Sequence, residues 1–211
     1  MVVQELWRYP VKSLRGEPLQ RADVTADGIA GDRIVHIRGP HGVITSRTKS
    51  RLLGLAGTLG PGGAPLIDGL PWDDEVSRAA VREAAGPDAE LVRYEGPERF
   101  DILPLLVATD GAIAAFGRDG RRLRPNIVIG GVEGLAERHW PGGKLRIGDA
   151  VINLDSLRGR CIMTTFDPDT LEQDVDVLRD INARFGGELA LNAFAESAGT
   201  IAVGDPVELL P

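Results

Sequence analysis

Apolar and polar positions alternate over short stretches of this chain, and glycine or proline breaks the alternation every few residues. Residues 2–9 alternate well enough to predict a strand, which Pro10 ends. Residues 10–16 read as a loop turning on Gly16. Strands are expected over 19–25 and 33–38, and over 43–46 after the tight connection Gly39-Pro-His-Gly42. Residues 54–71 are too rich in glycine and proline to suggest a strand. Asp73 is placed to cap a helix over 75–85 with Val76, Ala80, Val81 and Ala84 on its apolar face and Gly86 as its stop. Residues 90–94 read as a strand.

A soft boundary near 96–99 separates a β-rich region, 1–97, from a second region, 98–211. The second region predicts strands over 103–108, 126–129, 144–147, 150–154 and 161–166, with a short helix over 109–116. Val175, Leu178, Ile181 and Phe185 recur at helical spacing, so 174–185 is a helix ended by Gly186-Gly187. Strands over 189–195, 199–204 and 206–210 close the chain. Many short strands and few short helices make this a mainly β, α+β protein.

Composition narrows the functional classes. The 211 residues suit one large domain or two intimate small ones, and 27 Gly with 14 Pro fit a turn-rich β fold. A net charge of −7 argues against general nucleic-acid binding, although it leaves room for a local cationic pocket. One cysteine permits no internal disulfide, and no apolar run approaches a membrane span. The expected setting is cytoplasmic, with no membrane and no nucleic-acid partner.

Several chemistries lack their residues. His36, His41 and His139 are scattered and one Cys is too few for a structural zinc site. No Gly-x-Ser-x-Gly nucleophile elbow occurs, and the acidic run from Asp167 to Asp176 lacks calcium-loop spacing. Cationic residues remain at strand ends and turns: Lys12 beside Ser13, Arg33, Arg47, and Arg122-Leu-Arg124-Pro-Asn126. Arginine forks suit phosphate, and Ser and Asn add directed hydrogen bonds. Read as a strand, 122–126 puts Arg122, Arg124 and Asn126 on one face, where the two cations repel unless an anion lies between them. Cys161 follows Arg158-Gly-Arg160. A lone cysteine commonly behaves as a small buried hydrophobe, yet a thiolate is also a nucleophile and a soft metal ligand, and neighbouring cations favour it.

These residues also carry a family resemblance. Leu6-Trp-Arg-Tyr-Pro-Val-Lys-Ser13, Gly31-Asp-Arg33 and Ile44-Thr-Ser-Arg47 resemble the N-terminal region of MOSC proteins, the molybdenum cofactor sulfurase C-terminal family. Arg122 to Ile127, Leu145-Arg-Ile-Gly148, Arg160-Cys161, Thr164-Thr-x-Asp-Pro168 and Ile201-Ala-Val-Gly-Asp205 resemble the MOSC domain proper. The resemblance spans nearly the whole chain, in the family's order. It implies a MOSC-type β-barrel with a smaller β-rich N-terminal subdomain, similar to amidoxime-reducing components and reductases of N-hydroxylated bases. It further implies a molybdenum cofactor, Mo-molybdopterin, with Cys161 as metal ligand. Lys12, Ser13, Arg33, Arg47, Arg122, Arg124, Asn126 and Arg160 would surround the pterin and its phosphate. Asp110 and Asp167 are candidates for proton handling. The partners expected are a small N-hydroxylated substrate and a separate electron-transfer protein. The alternative is a carrier of the cofactor, or of sulfur as a persulfide on Cys161, without turnover. Where the family has Thr-Gly after the Asp-Pro turn, this chain has Thr170-Leu171.

Overall fold

The structure is a computed structural model that describes residues 1–96 and 99–211. The first half holds β1 (Val2–Arg8), β2 (Glu17–Leu19), β3 (Arg21–Thr25), β4 (Gly28–Ile29), β5 (Val35–Gly39), β6 (Gly42–Ile44), β7 (Gly57–Leu59), β8 (Pro65–Ile67), β9 (Leu70–Pro71), α1 (Glu75–Ala85) and β10 (Glu90–Arg93). The second holds β11 (Leu105–Thr109), α2 (Asp110–Phe116), β12 (Ile127–Gly130), β13 (Lys144–Ile147), β14 (Ala150–Gly159), α3 (Asp176–Phe185), β15 (Glu188–Ser197), β16 (Gly199–Ala202) and β17 (Glu208–Leu210). The mainly β expectation holds. The expected boundary between 97 and 98 falls on the two residues outside those described.

One eight-stranded sheet, in the order β17-β13-β14-β15-β11-β12-β1-β2, frames the molecule. Its pairs are antiparallel except β11 with β12. Three register shifts between β14 and β15 bend these long strands, as bulges do. The sheet curls far enough for Val3 N–H to donate to Asp205 O at 2.9 Å and Val207 N–H to Met1 O at 2.9 Å. It stops short of a barrel: among the described residues no ladder joins β2 to β17. Its concave face carries the largest core, including Leu6, Val107, Ile127, Leu145, Ile152 and Leu191. The small sheet β16-β3-β4 covers that face with Ala22, Val24, Ile29 and Ile201.

A second core gathers Val11, Leu14, Val35, Ile37, Leu52, Ile67 and Val81 between α1 and the sheets β10-β5-β6 and β7-β8-β9. A third lies under α2 and α3, around Phe116, Leu123, Ile181 and Leu189.

Local chemistry explains where the sequence reading missed. Residues 54–71 do form strands; Pro65 and Pro71 sit at strand ends, where a missing N–H is tolerated. The cap of α1 is Asp74, whose Oδ1 accepts from Val76 N–H at 2.8 Å. That register buries Ser77, Val81 and Ala85 and leaves Val76 exposed. Residues 161–166 are not a strand. Ile162–Thr165 is a 3-10 turn, because Thr164 and Thr165 hydroxyls donate back to the carbonyls of Cys161 and Ile162 at 2.9 and 2.6 Å. Gly120–Leu123 is likewise a 3-10 turn, started by Asp119 accepting from Arg121 N–H, with Arg124 left-handed at φ 56°. The strand face predicted over 122–126 is therefore a turn.

Candidate functional site

A cavity of about 260 Å³ opens where β1 leaves the large sheet and β11 and β12 enter it. Seven cationic side chains line it, those of Lys12, Arg33, Arg47, Arg122, Arg124, Arg158 and Arg160, against one carboxylate, Asp101. Cys161, half-buried at the start of its 3-10 turn, lines the same cavity, as do Ser13, Asn126, Met163 and Asn192. In a chain of net charge −7 this concentrates positive charge at one place, and low-dielectric walls focus its field.

The scaffold is built around Tyr9, at the end of β1. Its N–H donates to Asp32 Oδ1 at 2.6 Å, and its hydroxyl donates to Pro125 O at 3.0 Å. Burial pushes the Tyr9 hydroxyl up to about 12, against the pull of Arg124 and Arg33. Both guanidinium groups lie over its ring, at 4.2 and 5.1 Å from the centroid, as cation–π pairs. Fully buried Asp32 also pairs with Arg33 and accepts from Asn126 Nδ2 at 3.2 Å. One carboxylate thus ties β1, the β4–β5 turn and the entry to β12. Asn126 spends its amide on this frame, donating to Trp7 O and accepting from Leu106 N–H.

Backbone strain aims several of these side chains. Ser13, Arg33 and Arg124 all have positive φ, at 75°, 54° and 56°. Each such position costs on the order of 1–3 kcal/mol in a non-glycine residue, and such strain clusters at ligand sites.

Deep in the cavity the cations are poorly paired. Arg124 donates to Leu14 O at 2.8 Å, and burial lowers its affinity for its proton. Arg160 donates one bond, to Leu123 O at 2.7 Å, while its Nε and Nη1 are shielded from solvent and have no partner. Burial, with the charge of Arg158 next, pulls Arg160 down to about 10. Shielded donors without acceptors are unfavourable unless a ligand supplies the oxygen.

Around Cys161 the turn is locked from outside. Arg122 donates to Asp167 Oδ2 at 2.9 Å and to Thr164 O at 3.3 Å. Asp167 is thus one residue removed from the cavity, and its other oxygen accepts the N–H groups of Asp169 and Thr170. Those two bonds, with Arg122, hold it below the usual carboxylate range. Asp110 does not line the cavity. It is the first residue of α2, whose cap is Thr109, and it accepts from Gly111, Gly131 and Val132 N–H. Leu171, where the resembled pattern has glycine, keeps a left-handed φ of 61°.

Tyr9, Asp101, Arg158 and Asn192 were not singled out by sequence reasoning. Arg158 carried a signal, standing three residues before Cys161 near the end of β14; the others carried none, since only tertiary packing brings them to the cavity.

The MOSC domain model matches residues 113–208, and the MOSC N-terminal beta barrel domain model matches residues 1–64. The chain belongs to the MOSC family. The N-terminal model's name describes a barrel, and in this chain its strands β1 and β2 are part of the open sheet. Among relatives, the human protein "Mitochondrial amidoxime-reducing component 1" is 28% identical over 99% of this chain and 82% of its own length. The Mus musculus protein of the same name is 26% identical over the same shares. "Molybdenum cofactor sulfurase" of Bombyx mori is 32% identical over 40% of this chain and 10% of its own length. The YUAD protein from Bacillus subtilis shares the fold, with a TM-score of 0.50 at 12% identity, over 99% of this chain and 94% of that one. No helix among the described residues is long and apolar enough to cross a membrane.

Proposed function

We propose that this MOSC protein binds a molybdenum cofactor in the cationic cavity and reduces N-hydroxylated compounds with electrons from a separate protein. The observation that carries the reading is the convergence of Cys161 with seven cations in one cavity. The names of the amidoxime-reducing relatives support the substrate class.

The residues fit the cofactor. Its phosphate calls for a cationic, donor-rich pocket, and Arg160 offers two shielded N–H donors with nothing to bind. Molybdenum accepts a soft thiolate, and Cys161 is the only cysteine. Lys12, Ser13, Arg33, Arg47, Arg124 and Arg160 would hold the pterin and its phosphate, and Cys161 the metal. When bound, the cofactor supplies the two-electron redox couple.

The chain's own residues prepare the site. Asp32 and Asn126 fix Arg33 and the β12 entry. Arg122 and Asp167 hold the turn that presents Cys161. Met163 and Phe100 exclude water along the walls. The overall reaction breaks the N–O bond, consumes two electrons and two protons, and releases water. Both Asp110 and Asp167 are held as carboxylates by backbone N–H groups, so this reading uses them for positioning and not for proton delivery. The single cysteine supports a reducing, cytoplasmic setting.

The match to a molybdenum cofactor sulfurase favours a second reading, a persulfide or cofactor carrier at the same cysteine. Protein made in a cofactor-competent host, assayed with a chemical electron donor and an N-hydroxylated amidine, separates the two. Turnover supports the reductase; a persulfide on Cys161 without turnover supports the carrier; protein with neither metal nor pterin contradicts the reductase.

A further inference from the structure

Among the described residues Asp101 is the one acidic group lining the cavity, and three of the seven cations converge on it. Lys12 Nζ lies 2.8 Å from Oδ1, Arg47 Nη2 lies 2.6 Å from Oδ2, and Arg158 Nη2 lies 3.6 Å from the same oxygen. These cations come from three separate places: the loop after β1, the segment after β6, and the end of β14. Burial alone would raise the Asp101 pKa, but the Lys12 hydrogen bond and the charges of Lys12, Arg47 and Arg158 outweigh it and hold the group ionised.

The carboxylate sits on the short segment that leads into β11. That segment also meets the cations through Arg99 O, which accepts from Lys12 Nζ at 2.8 Å, and through the Phe100 ring, 6.0 Å from the Arg33 guanidinium, while the neighbouring Ile102 is 56% exposed. The Asp101 side chain is itself 33% exposed, so a path to solvent is short. Deeper in, Arg124 and Arg160 make no ion pair among the described residues and hydrogen-bond only to backbone carbonyls. The cavity thus has a mouth whose positive charge is partly offset by one carboxylate and a floor with no such offset among the described residues.

We propose that Asp101 is an internal counter-ion that stands in for the anionic ligand at the mouth and sets the charge a ligand must bring. A tethered carboxylate acts at high effective concentration against a free competitor. A monoanion reaching Lys12, Arg47 and Arg158 replaces one negative charge with another and gains little. A dianionic phosphate group brings one charge more, displaces Asp101 toward solvent and takes its three partners. Asp101 therefore sets a threshold that every anion must pass, and a dianion passes it where a monoanion does not. This rests on the reading of the cavity as an anion site, and it concerns the chain before any cofactor is loaded.

The alternative is that Asp101 merely orders the three cations. The two roles predict opposite signs. The cofactor-free protein is titrated calorimetrically with inorganic phosphate at pH 8, and separately with formate, at constant ionic strength. Removing the competitor in Asp101→Asn tightens phosphate binding about tenfold, within the span usual for coupled sites, and tightens formate binding by the same factor, since each ligand displaces the same carboxylate. Asp101→Ser shifts both in the same direction, which guards against one variant folding poorly. Phosphate binding by the wild type that is unchanged or weakened in both variants overturns the counter-ion role and leaves the anion site standing. Absence of phosphate binding in the wild type and in both variants overturns the anion site as well.

Discussion

At the scale of single residues, the cavity shows what a side chain costs a protein before its ligand arrives. Arg124 and Arg160 are half-buried cations whose hydrogen-bond acceptors are backbone carbonyls, a poor substitute for a carboxylate or phosphate. Arg160→Met, of similar length, removes two shielded donors that lack partners, so it leaves stability within about 1 kcal/mol while phosphate binding by the cofactor-free protein falls at least tenfold. Chemical denaturation and calorimetry on the same preparations check both halves. His36 makes a separate residue-scale prediction. Its ring is buried against Tyr94 with no hydrogen-bond partner at either nitrogen, and burial, then the charges of Lys12 and Arg38, lowers its pKa from 6.5 to about 4. Because the folded value lies below the unfolded one, the stabilisation is fully present above pH 6.5 and is lost as pH falls from 6.5 toward 4. The loss is about 3 kcal/mol at most. Denaturation midpoints between those pH values therefore fall more steeply for the wild type than for His36→Phe; equal slopes would contradict the His36 assignment, since Asp101 and Asp119, both lowered from 3.8, act mainly below this window.

At the scale of elements, turns and caps decide the site more than strands do. α2 begins so close to the β12–β13 connection that a Cβ on Gly111 would lie 2.3 Å from Val132 O and 2.4 Å from Gly134 O. Gly111→Ala therefore costs several kcal/mol, roughly 2–4, by forcing those backbones apart. Gly117→Ala, at the left-handed end of α2 with open space around it, costs only about 1 kcal/mol. Thermal unfolding of the two variants checks the order. Several strands were legible in the sequence because alternation survives burial on one face: β13 was placed to the residue, and β1, β5 and β15 within a residue or two. The two turns that carry Arg122, Arg124 and Cys161 were not legible as turns. Thr164, Thr165 and Asp119 redirect the backbone through side-chain hydrogen bonds, which apolar periodicity does not register. The cationic residues themselves were visible, because Arg, Lys and Asn at strand ends stand out whatever the local backbone does. Asp101, on an irregular segment with no periodicity, was visible only once the chain was folded.

At the scale of the whole molecule, an acidic chain folds so that seven of its cations line one cleft. Two cores, one under the eight-stranded sheet and one under α1, hold the two walls of that cleft. Ligand binding there couples to global stability. A hundredfold excess of phosphate over its Kd raises the melting temperature by roughly 5–10 °C at low salt. Because much of that attraction is between a cationic cleft and an anion, the shift shrinks as ionic strength approaches about 1 M, where screening reaches only some 3 Å. A shift that does not respond to salt would place the binding outside this cleft.

The central claim is that Cys161 and the surrounding cations form one cofactor site, with the thiolate on the metal and the arginines on the phosphate. Molybdenum and pterin content, measured together on wild-type protein and Cys161→Ala purified from a cofactor-competent host, tests this most directly. The account predicts both in the wild type, and in the variant a loss of molybdenum that exceeds the loss of pterin, since the phosphate keeps its cationic partners. Molybdenum retained at the wild-type ratio in Cys161→Ala would contradict it.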